Sequence, residues 1–174
     1  LTPYISNRTR TLEFRYRQAF RNGGIVFNGA VTRDDELPGE TRGYLFGSGQ
    51  FDLRRDYTLD FNVELTTDRA YLTEYGYSSI DRLGSERTVS RAERDEFIRA
   101  SVFNFETLRD GEVNSTQPTF VLDGAYERRF FPERLGGELR FGLQAHAHRR
   151  SSDSEVDGPD ADLITDGRDV ARIN

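Results

Sequence analysis

Residues 57–66 alternate without an error. Tyr57, Leu59, Phe61, Val63 and Leu65 are apolar, and Thr58, Asp60, Asn62, Glu64 and Thr66 between them are polar. In an extended chain successive side chains point to opposite faces, so this run reads as a strand with one apolar and one polar face. The period recurs from Glu138 to His148, where Leu139, Phe141, Leu143, Ala145 and Ala147 oppose Arg140, Gly142, Gln144, His146 and His148. From Thr119 to Glu127, Phe120, Leu122, Gly124 and Tyr126 oppose Thr119, Val121, Asp123, Ala125 and Glu127. From Thr11 to Gln18, Leu12, Phe14 and Tyr16 oppose Glu13, Arg15 and Arg17. Gly24 to Thr32 follows suit, with Ile25, Phe27 and Val31 against Asn28, Ala30 and Thr32 and Val26 on the wrong side. No helical period is sustained anywhere. The expected fold is all-β, an antiparallel up-and-down meander.

Weaker patterns extend it. Gly43–Leu53 holds Tyr44, Phe46 and Phe51, but its facing changes sides around Gly47-Ser48-Gly49, where a bulge or bend is expected. Phe97–Thr107 is rich in strand formers and ambiguous in facing, and Ser85–Ala92 is polar apart from Val89. Leu1–Ile5 reads as the tail of an earlier strand. The expectation over residues 1–174 is about nine strands, a part of a larger barrel.

Composition narrows the class. The 174 residues carry a net charge of -6, with 24 basic residues that are all Arg, and the mean hydropathy is -0.72. Yet 13 Phe and 8 Tyr argue against disorder. No run approaches the roughly 20 apolar residues of a membrane helix. The absence of Cys excludes disulfides, zinc-thiolate sites and cysteine nucleophiles. The acidic balance argues against nucleic acid as a partner. The chain opens on Leu1 with no initiator Met or signal peptide, as an excised piece would.

The connections separate a membrane barrel from its rivals. Turns around Arg21-Asn22-Gly23, Arg54-Arg55-Asp56 and Glu93–Glu96 are short, and Phe130–Gly137 is of medium length. Between them fall longer segments, Asp34–Thr41, Asp68–Gly84, Leu108–Gln117 and Ser151–Gly167. One edge with tight turns and the other with large loops is the asymmetry of an outer-membrane barrel. Phe20, Phe51, Tyr57, Phe97, Phe130 and Phe131 sit beside the short-turn edge and read as half of an interfacial girdle. In such a barrel Leu59, Phe61, Val63, Leu139, Phe141 and Leu143 face membrane lipid. Glu13, Arg15, Arg17, Asp60, Asn62, Glu64, Asp123, Glu127, Arg140, Gln144 and His146 line a wet lumen suited to a charged, sugar-rich substrate. A soluble sandwich or lipocalin-like barrel shares the alternation and stays open on pattern alone.

Chemistry-bearing constellations are sparse. His146 and His148 share a strand face, but no third metal ligand is identifiable, so no metal or other cofactor is expected. Asp153–Gly158 resembles the start of a calcium loop, but Ile164 stands where the closing carboxylate belongs and Pro159 stiffens the next position. Gly47-Ser48-Gly49 precedes no helix and makes no phosphate cradle. Ser151 and Ser152 lack a nucleophile elbow, so no catalytic residue is assigned.

Several segments together resemble the LptD family, also called OstA or Imp, which assembles lipopolysaccharide at the outer membrane. Asp68-Arg69-Ala70-Tyr71, with Tyr75-Gly76-Tyr77 and Asp81-Arg82-Leu83 after it, is similar to a D-x-x-Y loop of that family. Thr2-Pro3-Tyr4-Ile5-Ser6-Asn7-Arg8 followed by Glu13-Phe14-Arg15-Tyr16 resembles its barrel entry, and Tyr126–Pro132 and Gly167–Arg172 fit downstream. The resemblance spans nearly the whole chain and rests on order and spacing, not on one motif. It implies the N-terminal part of a barrel of about two dozen strands that follows a periplasmic jelly roll. It implies a non-catalytic transport role with lipopolysaccharide as substrate, the lipoprotein LptE as lumen plug in many members, and a periplasmic bridge as the supplier. It also places Pro3 at a lateral gate, where the first and last strands meet and a missing N–H weakens pairing; an ordinary strand-end proline is the equal alternative. A passive porin-like channel and, less favoured, a lipid hydrolase are the functional rivals.

Overall fold

The computed structural model describes residues 1–134, 136–151 and 169–174. Ten strands follow one another: β1 (Thr2–Ile5), β2 (Thr9–Phe20), β3 (Gly23–Asp34), β4 (Arg42–Asp52), β5 (Thr58–Thr66), β6 (Arg82–Ala92), β7 (Glu96–Thr107), β8 (Phe120–Phe130), β9 (Leu139–Arg149) and β10 (Asp169–Ile173). A single helical turn, α1 (Tyr71–Glu74), interrupts the connection from β5 to β6. The strands form one sheet in sequence order, every neighbouring pair antiparallel. This is the meander expected from the alternation. The count exceeds the expected nine by β10, whose five residues are too few to show a period. The calcium-like segment Asp153–Gly158 and Ser152 lie outside the described residues.

Register turns ten separate alternations into two continuous faces. Directly opposed residues point the same way, and Leu59 opposes Phe51 on one side and Val89 on the other. Phe51 opposes Gly23, which opposes Phe20. In the other direction Val89 opposes Ala100, then Gly124, then Ala145. The apolar face therefore runs unbroken from β2 to β9. On the reverse face the ladder aligns Asp60 with Gln50 and Thr88, and Asp123 with Ser101 and His146. The ambiguous strand resolves the same way: Ile98, Ala100 and Val102 join the apolar face, and Phe97, Ser101, Phe103 and Phe105 join the polar one. Phe97 thus stands off the outward row that holds Phe20 and Phe51, whose rings lie 5.6 Å apart.

The bulge expected at Gly47-Ser48-Gly49 is absent. The ladders on both sides of β4 run straight through it. The glycines make room for rings instead. Phe27 lies across Gly47 and Phe61 across Gly49, and a Cβ at either position would stand under 3.0 Å from ring carbons. Tyr44 and Phe46 sit on the polar face because a loop covers them there, not because the strand turns over.

That loop forms the main buried cluster. Leu72, Leu83 and Leu108 are buried together, with Tyr44, Phe46, Tyr77 and Ile80 packed against them. The β5–β6 ladder stops at Asn62 opposite Glu86, short of the end of β5 at Thr66. Beyond it side chains replace the backbone ladder. Glu64 N donates to Ser85 Oγ at 3.0 Å, Gly84 N donates to Glu64 Oε2 at 2.8 Å, and Asn62 Nδ2 donates to Gly84 O at 3.2 Å.

Replacing Gly49 by Val should force the Phe61 ring off its seat and cost about 1–3 kcal/mol. Gly142, beside which a Cβ meets nothing within 4 Å, should accept Ala within about 0.5 kcal/mol. Urea unfolding measures both; equal losses would mean that the ring seat is not the reason for Gly49.

Candidate functional site

The polar face gathers every residue assigned to it from sequence, since Glu13, Arg15, Arg17, Asp60, Asn62, Glu64, Asp123, Glu127, Arg140, Gln144 and His146 fall in one set of register rows. Most are tied to neighbours across the strands. Gln50 Nε2 donates to Asp60 at 2.8 Å, and Arg140 Nη2 meets Glu127 Oε2 at 2.6 Å. Asp123 takes Arg99 Nη2 at 3.3 Å and stands 3.6 Å from His146 Nδ1. A hollow of about 600 Å³, lined among others by Ser48, Gln50, Asp60, Asn62, Glu86 and Thr88, opens on this face. His146 and His148 have ring centroids 5.7 Å apart, and among the described residues no group of three or more metal-ligating side chains forms.

The opposite face holds Leu59, Phe61, Val63, Leu139, Phe141 and Leu143. Phe61 neighbours the Phe27 ring at 6.4 Å, and Phe141 meets Tyr126 edge-on at 6.2 Å. Pro3 opposes Leu12 in β1, the first strand of the sheet. Its position falls in the apolar row.

One buried hub escaped the sequence. Arg42, at the start of β4, has a side chain only 3% exposed. Its guanidinium grips Asp68 at both ends, Nε to Oδ2 at 2.9 Å and Nη2 to Oδ1 at 2.8 Å. It also meets Asp34 Oδ2 at 3.1 Å and Glu74 Oε2 at 2.7 Å, and lies over the rings of Tyr71 and Tyr75. Asp68 Oδ1 in turn accepts from Tyr71 N at 2.9 Å, which starts the helical turn. The first and last residues of the D-x-x-Y segment are thereby the anchor of the loop. Tyr71 OH hydrogen-bonds Thr32, Tyr75 OH donates to Asp34, and Tyr77 OH donates to Glu13 Oε1 at 2.7 Å.

These contacts all lie on polar-face positions of β2, β3 and β4. The 67–81 loop is therefore folded inward over that face at the long-loop edge. A second layer ties it to the next long loop. Arg69 donates to the carbonyls of Arg109 and Glu112 at 3.2 and 3.1 Å, and Arg109 Nε meets Asp81 Oδ2 at 2.6 Å.

The loop's ionisations follow from these partners. The bonds from Arg42 hold the Asp68 carboxyl below its usual 3.8. Burial, and then the bond to the Asp34 carboxylate, push the Tyr75 hydroxyl up to about 12. Burial and Glu13 raise Tyr77 likewise.

An antiparallel meander with one polar face, one apolar face and a loop drawn in over the polar side defines a class: a two-faced β-sheet wall. A family model described as LPS transport system D, LptD, matches residues 40–168, and the chain belongs to that family. The family serves lipopolysaccharide transport and assembly at the outer membrane of Gram-negative bacteria. Searches of curated proteins and of solved structures gave no match.

Arg42→Ala leaves the Asp34 carboxylate, 2% exposed, buried without its cation. The loop should loosen by about 3–5 kcal/mol, read as faster hydrogen exchange across 67–81 with the β8–β9 amides unchanged. Arg42→Lys should recover part of that protection, since an ammonium cannot grip Asp68 at both ends. Acid should act in the same direction. Because the folded pKa of Asp68 is depressed, its contribution is present above pH 3.8 and is lost as the pH falls below that value. Exchange that is flat from pH 5 down to the folded pKa would show that the pair does not hold the loop.

Proposed function

We propose that this chain forms the early part of the wall of an outer-membrane barrel that inserts lipopolysaccharide into the outer leaflet. The polar face lines the lumen, the apolar face meets membrane lipid, and the edge with the long loops is the outer one. The observation that carries this reading is the continuity of the two faces over nine successive ladders. Strand length supports it. From β2 to β9 the strands span 9 to 12 residues, close to the roughly 9–11 that a tilted strand needs to cross a bilayer.

The mechanism is passage, not catalysis. Sugars and phosphates of the substrate travel along the mixed-charge lumen, where Arg15, Arg17, Arg140 and the facing carboxylates replace water as partners. Acyl chains stay in the membrane. That division requires a seam in the wall, and Pro3 belongs to it: without an N–H it removes one ladder bond from the first strand. By family resemblance, LptE plugs the lumen and a periplasmic bridge delivers the substrate. Depleting the full-length protein tests the reading against a porin-like channel. Lipopolysaccharide stalled in the periplasm supports assembly; a change confined to solute uptake supports the channel.

Facing is tested by substitution. Phe61→Arg and Leu143→Arg should impair insertion at about 2–4 kcal/mol each, the range for cations at mid-depth on a barrel exterior, whereas Asp60→Asn should fold normally. Heat-modifiable gel mobility reads folding, and equal losses in both classes would reverse the facing. Pro3→Ala restores a donor and should slow lipopolysaccharide export while protein level and folding stay normal. Unchanged export would remove Pro3 from the gate.

A further inference from the structure

We propose that the apolar face carries a binding site for one anionic, phosphate-bearing membrane lipid, an acyl chain lying in a trough across β6–β9 and its phosphate on Arg87. The proposal rests on the reading above that this face meets lipid.

The trough follows from the register. Ala100, Gly124 and Ala145 stand directly opposite one another in β7, β8 and β9, and Ala147 stands beside them, opposite Leu122. Three alanines and one glycine on three adjacent strands leave a low floor. Leu59 on one flank and Val102 and Leu122 on another rise around it, and Ala171 and Ile173 of β10 border its far side. The result is a hollow of about 580 Å³, within the roughly 300–1,000 Å³ of ordinary ligand pockets. A flat barrel wall needs no such hollow for bulk lipid; a recess of this size suits a single chain held in place.

Arg87 borders the same hollow. It is the central residue of β6, and its register partners Phe61 and Val102 put it on the apolar face. Its Nη1 donates to Asn104 Oδ1 at 3.0 Å, and among the described residues no carboxylate lies within ion-pair distance of it. Arg91, on the same face nearer the short turns, pairs with Glu93 and Glu96 instead. Asn104 sits two positions closer to the long-loop edge, so the guanidinium is drawn from mid-depth toward the outer surface. A cation on an apolar membrane face demands an anion. A lipid phosphate supplies one, and its geometry matches the guanidinium fork. Arg172 of β10 also borders the hollow, but its register partner His146 puts it in the polar row; the apolar recess and the Arg87 cation together are the two halves of an anionic amphiphile's shape.

The test uses the full-length protein in nanodiscs of phosphatidylcholine doped with phosphatidylglycerol of the same chains, with native mass spectrometry counting the lipids that remain bound. The wild type should retain one phosphatidylglycerol in preference to phosphatidylcholine. Arg87→Gln should reduce that preference about tenfold, the worth of one charge-assisted hydrogen bond, and leave phosphatidylcholine retention unchanged. Ala145→Leu, which fills the floor, should reduce retention of both lipids. Equal retention of the two lipids by the wild type, an unchanged preference in Arg87→Gln, or a lipid-free pair of chains would each overturn the site. Failure of the folded wild type to enter nanodiscs would instead strike the membrane reading on which the site stands.

Discussion

Strand register is the constraint on which the rest of this molecule depends. Side chains in a strand repeat every two residues, so a slip of one residue in any ladder would carry a whole strand's apolar row to the wrong side. Here the pairings keep Phe20, Gly23, Phe51, Leu59, Val89, Ala100, Gly124 and Ala145 in connected rows through eight strands. The two-faced wall, the inward loop and the trough are all consequences. Each needs residues from non-adjacent strands to share a face, and only unbroken register supplies that.

The inward loop is held by a device of the opposite kind, local and ionic. Arg42 draws three carboxylates, from β3, from the loop and from its helical turn, around one buried guanidinium. The tyrosines that follow complete it by meeting hydroxyl and carboxylate partners on β2 and β3. Without those partners the loop would leave Tyr44 and Phe46 bare on a face that is otherwise polar. The sheet and loop are thus mutually dependent: the aromatic residues on the polar face are tolerated because the loop hides them, and the loop is placed by the polar groups beside them.

The alternation in β2, β3, β5, β8 and β9 was legible because the central positions on one face of each strand are apolar or glycine. Facing in β4 and β7 was not legible, for a physical reason. Tyr44 and Phe46 follow the loop's needs and Phe103 and Phe105 sit on the polar face, so apolarity there does not track the outward side. Arg42 was invisible because its partners stand 8, 26 and 32 residues away, and nothing at that spacing marks a buried charge. The resemblance did single out Asp68 and Tyr71, but their task emerged only when the loop was seen folded against β3 and β4. Gly47 and Gly49 were read as a bend because sequence shows a missing side chain and not the ring that fills the space.

The parted end of β5 and β6 bears on how this segment can diverge. A backbone ladder is indifferent to side-chain identity, and most strand positions can therefore drift among residues of similar polarity. Between β5 and β6 that indifference is lost, because Ser85, Glu64 and Asn62 supply the bonds that main chain supplies elsewhere. Substitutions there remove connections between strands and not merely decoration from them. Among related sequences these three polar positions should change together or not at all, while their neighbours on the ladder vary one at a time.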